Sequence, residues 1–235
     1  MKKTLLCFYG FLLDIFFPRL CQGCGQEGSY LCLSCQGQLK TPPQRCLVCG
    51  KPALLGKIHP ECQNRKTHLA GLLVAADYHK KSVQSLIWNL KYQSASDITE
   101  TLSLLLTDFL VSQDLLDYFA AGLVIPVPLH KKRLRLRGFN QADLLARHLA
   151  SKLGLEFRAI LKKTRNTPRQ VDLSRAERQQ NVENSYFAPE HSSLRERKIL
   201  LIDDVATTGA TLNECARVLK ERGASEIWAL VVARN

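Results

Sequence analysis

The sequence predicts an α/β protein: a parallel sheet with helices on both faces, preceded by a small N-terminal metal-binding module. Three observations predict it. From residue 69 onward, short apolar runs alternate with amphipathic stretches of helical period. Two of those runs lead into unusual polar clusters, at the strand ends where parallel sheets hold their ligands. Ahead of them, eight of the nine cysteines fall before residue 63, six of them in three Cys-x-x-Cys pairs.

The elements follow in order. Residues 4–17 read as an amphipathic helix within a segment 1–19. Lys2 and Lys3 ahead of an apolar run resemble a short signal peptide, but Asp14 interrupts it and no small-residue cleavage site follows. The run is too short to span a bilayer. Packing on the rest of the protein is the expectation, with weak membrane association as the other reading. Residues 20–66 show little periodicity and too few apolar residues for a core of their own, so a metal is expected to organise them. The α/β domain is expected over 69–235. It starts with an apolar stretch over 69–78, a helix over 83–92, and one long helix or two over 98–119. A buried strand over 123–127 ends between Pro126 and Pro128, and a helix over 141–153 stops at Gly154. Strands are expected over 157–161, 199–202 and 227–232. A helix over 211–222 ends at Gly223, and residues 162–184 form a polar, basic loop with some helix. The 235 residues suit one medium domain with a small appendage.

Regular close cysteine pairs argue for metal thiolates rather than a disulfide framework, and thiolates persist in a reducing compartment such as the cytosol. Cys21, Cys24, Cys32 and Cys35 make a four-thiolate set with structural zinc spacing. Cys46 and Cys49 make a second half-site, completed by His59 and Cys62. An interleaved pairing, with Cys21 and Cys24 joining Cys46 and Cys49, fits the spacing too, and His59 also reads as a surface histidine. Cys7 and Cys215 have no partners and read as buried small hydrophobes. Four-ligand sites leave no open position for catalytic water.

The segment ILLIDDVATTGAT spans 199–211. A strand runs into Asp203 and Asp204, then a loop of Ala206, Thr207, Thr208, Gly209 and Thr211 opens a helix. A helix start offers unpaired N–H groups and a partial positive charge to a phosphate. Gly209 lets the backbone approach, and the threonine hydroxyls add hydrogen bonds. The two carboxylates suit sugar hydroxyls or a magnesium ion. A phosphate on one side and a diol on the other describe a ribose 5-phosphate.

The net charge is +12, and residues 130–181 hold 14 Lys or Arg against four Asp or Glu. Such a segment attracts phosphorylated small molecules, nucleic acid or anionic lipid, or simply forms a solvated basic face. Within it, Arg137 and Gly138 precede a helix start and suit pyrophosphate. Lys131, Lys132, Arg133 and Arg135 exceed what one pyrophosphate needs and suit a larger polyanion such as DNA or RNA.

The 199–211 segment resembles the signature of type I phosphoribosyltransferases. The resemblance implies that Asp203 and Asp204, the catalytic pair, contact the ribose 2′ and 3′ hydroxyls, while Ala206, Thr207, Thr208, Gly209 and Thr211 bind the 5′-phosphate. It also implies that Arg137 and Gly138 form the pyrophosphate loop, with magnesium accompanying phosphoribosyl pyrophosphate. Residues 169–187 resemble the hood that closes over substrate in that family, with Gln170, Arg175, Arg178 and Asn181 as closing contacts. A cysteine-rich module ahead of VIPVPLHKKRLRLRGFNQA and RKILLIDDVATTGAT, with Leu90-Lys91-Tyr92 before both, resembles the ComF family from Cys21 to Asn235. Lys91 joins the ligand-binding set on that ground. His59 departs from the family's usual cysteine. The family implies a role in natural transformation, with phosphoribosyl pyrophosphate or a nucleotide, single-stranded DNA and other competence proteins as partners, in the cytoplasm or at the inner membrane face. Two other readings stand beside it: an active phosphoribosyltransferase whose acceptor has no motif in the sequence, and a nucleotide-sensing regulator without turnover.

Overall fold

A computed structural model describes residues 18–63, 67–92, 95–166, 182–190 and 194–235. The expected helix over 4–17, Cys7, and the hood residues Gln170, Arg175, Arg178 and Asn181 lie outside them. The strands are β1 (Gly71–Asp77), β2 (Leu123–Pro126), β3 (Glu156–Phe157), β4 (Lys162–Lys163), β5 (Tyr186–Phe187), β6 (Lys198–Ala206) and β7 (Glu226–Arg234). Five of them form a sheet in the order β1-β7-β6-β2-β3, every neighbour parallel; β4 and β5 pair separately as an antiparallel ribbon. The helices are α1 (Leu33–Gly37), α2 (Pro60–Gln63), α3 (Lys81–Tyr92), α4 (Ala95–Ser112), α5 (Leu116–Phe119), α6 (Lys131–Arg137), α7 (Gln141–Leu153) and α8 (Ala210–Glu221). No described helix is long and apolar enough to cross a membrane.

The continuous apolar runs of β6 and β7 are what a parallel sheet covered on both faces requires. Side-chain alternation divides the core in two. Leu73, Leu200, Ile202, Leu230 and Val232 pack with α3, α4 and α7. Leu72, Ile199, Leu201, Ala229 and Val231 pack with α8. The cysteine module contributes to both: Cys21 and Leu31 to the first cluster, Cys46, Leu47, Ile58 and Cys62 to the second.

That module clasps the β1 edge of the sheet. The Gln44 side chain stands in for a missing strand: its amide donates to the Val74 carbonyl at 2.9 Å and accepts from the Val74 N–H at 3.0 Å. Ile58 N–H donates to the Ala70 carbonyl at 2.8 Å, and Lys57 bridges to Gly71. An unpaired edge invites intermolecular strand pairing, and these contacts cover it.

Of the two readings of 98–119, two helices hold, α4 and α5, broken at Asp114, which takes a positive φ. Three expectations are corrected. The expected strand 157–161 is reduced to β3, because β2 ends at Pro126 and offers it only Leu123 and Val124 as partners; the chain resumes as β4. The basic run before Gly138 is no loop. Residues 131–137 form α6, capped by His130 Nδ1 accepting from Lys132 N–H at 3.2 Å, and ended by Gly138 in the left-handed region. Arg137 therefore sits in the last turn of a helix rather than in a strand-to-helix turn. Finally, β6 runs on to Ala206, so Asp203 and Asp204 lie within the strand instead of beyond it.

Candidate functional site

The last third of β6 brings the acids to the carboxyl edge of the sheet. By alternation the two side chains take opposite faces. Asp204, buried, shares the face of Leu200 and Ile202, and its Oδ2 lies 2.5 Å from Nζ of Lys91 at the end of α3. Burial works against the Lys91 ammonium, but Asp204 and then Asp203 outweigh it and hold it above the ordinary lysine range. Asp203 takes the other face, near Lys163, Tyr186 and Cys215. Its Oδ1 accepts from the Asp204 N–H at 2.9 Å. Burial, then the charge of Asp204, raises its carboxyl well above the usual range. Cys215 is fully buried, as expected.

That shift has a stability consequence. A carboxyl whose folded-state pKa exceeds its unfolded one costs stability above the unfolded range, and the cost grows until pH passes the folded value. Asp203→Asn keeps the acceptor for Asp204 N–H and removes the charge. At pH 7 it is expected to raise Tm by ~3 °C, about 1 kcal/mol for a chain this size. Calorimetry at pH 7 and pH 4 checks this, because the gain should shrink at pH 4, where the wild-type group is already protonated.

After β6 the chain turns into α8 at Gly209, whose φ of +77° suits glycine. Thr208 Oγ1 accepts from Ala210 N–H at 3.4 Å, and Thr211 hydrogen-bonds the buried Tyr186 of β5. A Cβ on Gly209 would also come within 2.6 Å of the Leu47 side chain. Leu47 lies between Cys46 and Cys49, so the second cysteine knuckle rests directly on this loop.

The basic element converges from the opposite side. Arg137 lies 5.6 Å from the centre of the Tyr92 ring and close enough to weigh on the Lys91 ammonium. Lys131, Lys132 and Arg135 of α6 are exposed, and Arg133 is half-buried. Beside them Trp88 and Tyr92, one turn apart on α3, are each 53% exposed, with ring centres 5.3 Å apart. Residue-by-residue reading missed Trp88, whose helical spacing to Tyr92 was the available signal.

The two cysteine sets are separate and sequential. Ligand atoms of Cys21, Cys24, Cys32 and Cys35 lie within 4.8 Å of one another, as do those of Cys46, Cys49, His59 and Cys62. Tetrahedral Zn–S bonds of ~2.3 Å put sulfurs ~3.8 Å apart, and Cys24 and Cys32 Sγ are 3.8 Å apart. His59 Nδ1 is 3.3 Å from Cys49 Sγ, while its Nε2 donates to the Pro52 carbonyl at 3.2 Å, which leaves Nδ1 for the metal. The interleaved pairing is ruled out. Burial opposes ionisation of Cys21, but N–H groups of Cys32, Cys24 and Gly23 overcome it and bring the thiol to about 6. Hydrogen bonds with Cys32 and Cys21, then burial, push Cys35 up to about 12. Thiols so crowded ionise together only around a cation, and the donor sets fit structural zinc.

Fold and sites together define a phosphoribosyltransferase-type domain carrying a double zinc ribbon. Family comparison agrees: residues 140–235 match the phosphoribosyl transferase domain and residues 12–63 the double zinc ribbon domain. The chain is 33% identical over 210 residues to competence protein F of Haemophilus influenzae, covering 87% of this chain and 90% of that one. It is 31% identical over 224 residues to the DNA utilization protein YhgH of Escherichia coli K12, covering 91% and 96%. It is 27% identical over 219 residues to competence protein ComFC of Bacillus subtilis, covering 87% and 84%. The chain belongs to the ComF family.

Proposed function

We propose that this chain is a competence-associated protein that binds phosphoribosyl pyrophosphate at the β6–α8 loop and single-stranded DNA on the adjoining basic and aromatic strip. The observation that carries the reading is Lys91 paired with Asp204 near the carboxyl end of β6, just ahead of the Gly209 turn that opens α8, with Arg137 close to Lys91. In this reading the N–H groups and hydroxyls of residues 207–211 hold the 5′-phosphate, Asp203 and Asp204 accept hydrogen bonds from the ribose hydroxyls, and Arg137 faces the pyrophosphate. Burial, then the charge of Asp204, raises Asp203, and a cation would offset both; in this reading Asp203 and Asp204 would hold magnesium, which would supply charge neutralisation at the pyrophosphate. The names of the relatives support a role in competence and DNA use.

Single-stranded DNA binding rests on two kinds of contact. Exposed aromatic rings provide stacking that tolerates any base, and Lys and Arg track the phosphates. Fluorescence anisotropy against salt separates them. Changing Lys131, Lys132 and Arg135 to alanine is expected to flatten the salt slope by about two units, at roughly 0.7 per phosphate contact. Trp88→Ala is expected to weaken binding about tenfold or more with little change in slope, at ~1–3 kcal/mol per stacked base. Absent or salt-independent binding by the wild type contradicts the DNA assignment. The phosphoribosyl pyrophosphate assignment is tested by thermal shift: with magnesium the ligand should raise Tm of wild type and not of Asp204→Ala.

A further inference from the structure

The two cysteine sets offer zinc opposite surroundings. At the second, Cys46 and Cys62 are buried in the core, and Leu47 of the knuckle packs on the Gly209 turn. At the first, Leu33 holds the same place in its own Cys-x-x-Cys pair and is 87% exposed. Cys24 of this set is the one exposed cysteine among the described residues. Its Sγ lies 3.8 Å from Sγ of the half-buried Cys32. The other two sulfurs are screened. Cys21 is buried, and its Sγ accepts from the N–H of Cys32 at 3.3 Å and of Gly23 at 3.4 Å. Gly23 also covers Cys35: a Cβ there would lie 2.6 Å from the Cys35 Sγ.

We propose that Cys24 is a modification site: its thiolate exchanges with low-molecular-weight disulfides, closes on Cys32 and releases the first zinc. The reactivity of a cysteine follows its thiolate character and its access. Zinc ligation supplies the first, and the open first knuckle supplies the second. The Cys24 sulfur attacks one sulfur of a disulfide RSSR, forms a Cys24–SR mixed disulfide and expels one RS⁻. The Cys32 sulfur then attacks the Cys24 sulfur, forms the Cys24–Cys32 bond and expels the second RS⁻. Each cysteine gives up one electron, and the two sulfurs of RSSR receive them. Zinc keeps only Cys21 and Cys35, too few donors for a structural site, and passes to a competing ligand. The second set lacks an exposed sulfur, and one of its four donors, His59, has no thiol to oxidise. The change reaches the sheet domain through α1. Gln36 Nε2 donates to Asp108 Oδ2 of α4 at 2.5 Å, and Cys21 and Leu31 pack in the cluster of α3 and α4, away from the Gly209 turn.

The test adds oxidised glutathione to the full zinc-loaded chain in the presence of a chromophoric zinc chelator, with disulfides mapped by mass spectrometry. One zinc is expected to leave about tenfold faster than the other or more, together with a Cys24–Cys32 linkage. Limiting iodoacetamide, without oxidant, should label Cys24 ahead of the other six zinc-ligand cysteines. Cys24→His keeps a zinc donor, as His59 does in the second set, and removes the attacking sulfur. With two zincs loaded, it should release the first about tenfold more slowly than wild type or slower still. The labelling order and the disulfide map test wild type independently of how that variant loads. Excess reduced glutathione with added zinc should restore two zincs to the oxidised chain. Equal release rates for the two zincs, earlier release from the second set, or a first disulfide that excludes Cys24 would overturn the proposal. So would earlier labelling of another zinc ligand, or release from Cys24→His at the wild-type rate.

Discussion

Cys46→Ser is expected to release one zinc and destabilise the chain by about 4 kcal/mol or more, the scale of losing a structural metal. Cys46 is fully buried in the cluster that also contains Ile58, Leu72 and Leu212, so the loss reaches beyond the knuckle. The knuckle also holds Gln44 against Val74, and its release exposes the β1 edge, so aggregation should accompany the loss. A second consequence is specific. Leu47 leaves Gly209, and affinity for phosphoribosyl pyrophosphate should fall more than tenfold at temperatures where the sheet is still folded. Cys24→Ser provides the contrast. Cys24 is exposed, and its zinc site packs on the opposite face of the sheet, so affinity there should stay within about threefold of wild type. Zinc content, calorimetry and ligand titration of the two variants check this. Equal losses of affinity would mean that the second knuckle does not shape the loop.

Gly209→Ala is expected to abolish phosphate binding and cost about 2–4 kcal/mol of stability. Two effects add. An alanine at φ +77° carries ~1 kcal/mol of backbone strain. Its Cβ would also lie 2.6 Å from both terminal methyls of Leu47 in a packed cluster, and overpacking costs ~1–3 kcal/mol. The steric part is separable. In the double variant with Leu47→Ala the contact is gone and the strain remains, so the cycle should show a favourable coupling of about 1 kcal/mol or more. Denaturant titration of the four proteins measures it. Strict additivity would mean that Leu47 does not touch the loop.

The strands and helices of the sheet domain were legible where one physical signal acted alone. Residues 199–202 are buried on both faces and could only be a central parallel strand, and Gly154 ended a helix of clear period where expected. Signals failed where tertiary partners decide. The basic run 131–137 carries too much like charge to suggest a helix, yet the His130 cap, Gly138 and packing near Tyr92 make it one. Residues 157–161 have strand character but meet a neighbour that stops at Pro126. The zinc ligands were legible from spacing, while their pairing needed coordinates. The contact between Leu47 and Gly209 was invisible in principle: Leu33 holds the same place in its own Cys-x-x-Cys pair and is 87% exposed. Only the docking of the module on the sheet distinguishes the two leucines. Lys91 entered through family resemblance alone, and its ion pair with Asp204 gives that resemblance a physical reason.

The measurement that bears most directly on the central claim is isothermal titration of phosphoribosyl pyrophosphate with magnesium into wild type and Asp204→Ala. The geometry of Lys91, Asp204 and the β6–α8 loop predicts one site in the wild type and a loss of about a hundredfold or more in the variant, the scale of removing a buried charged hydrogen-bonding partner. No heat from a folded, zinc-loaded wild type, or undiminished binding by Asp204→Ala, would contradict it.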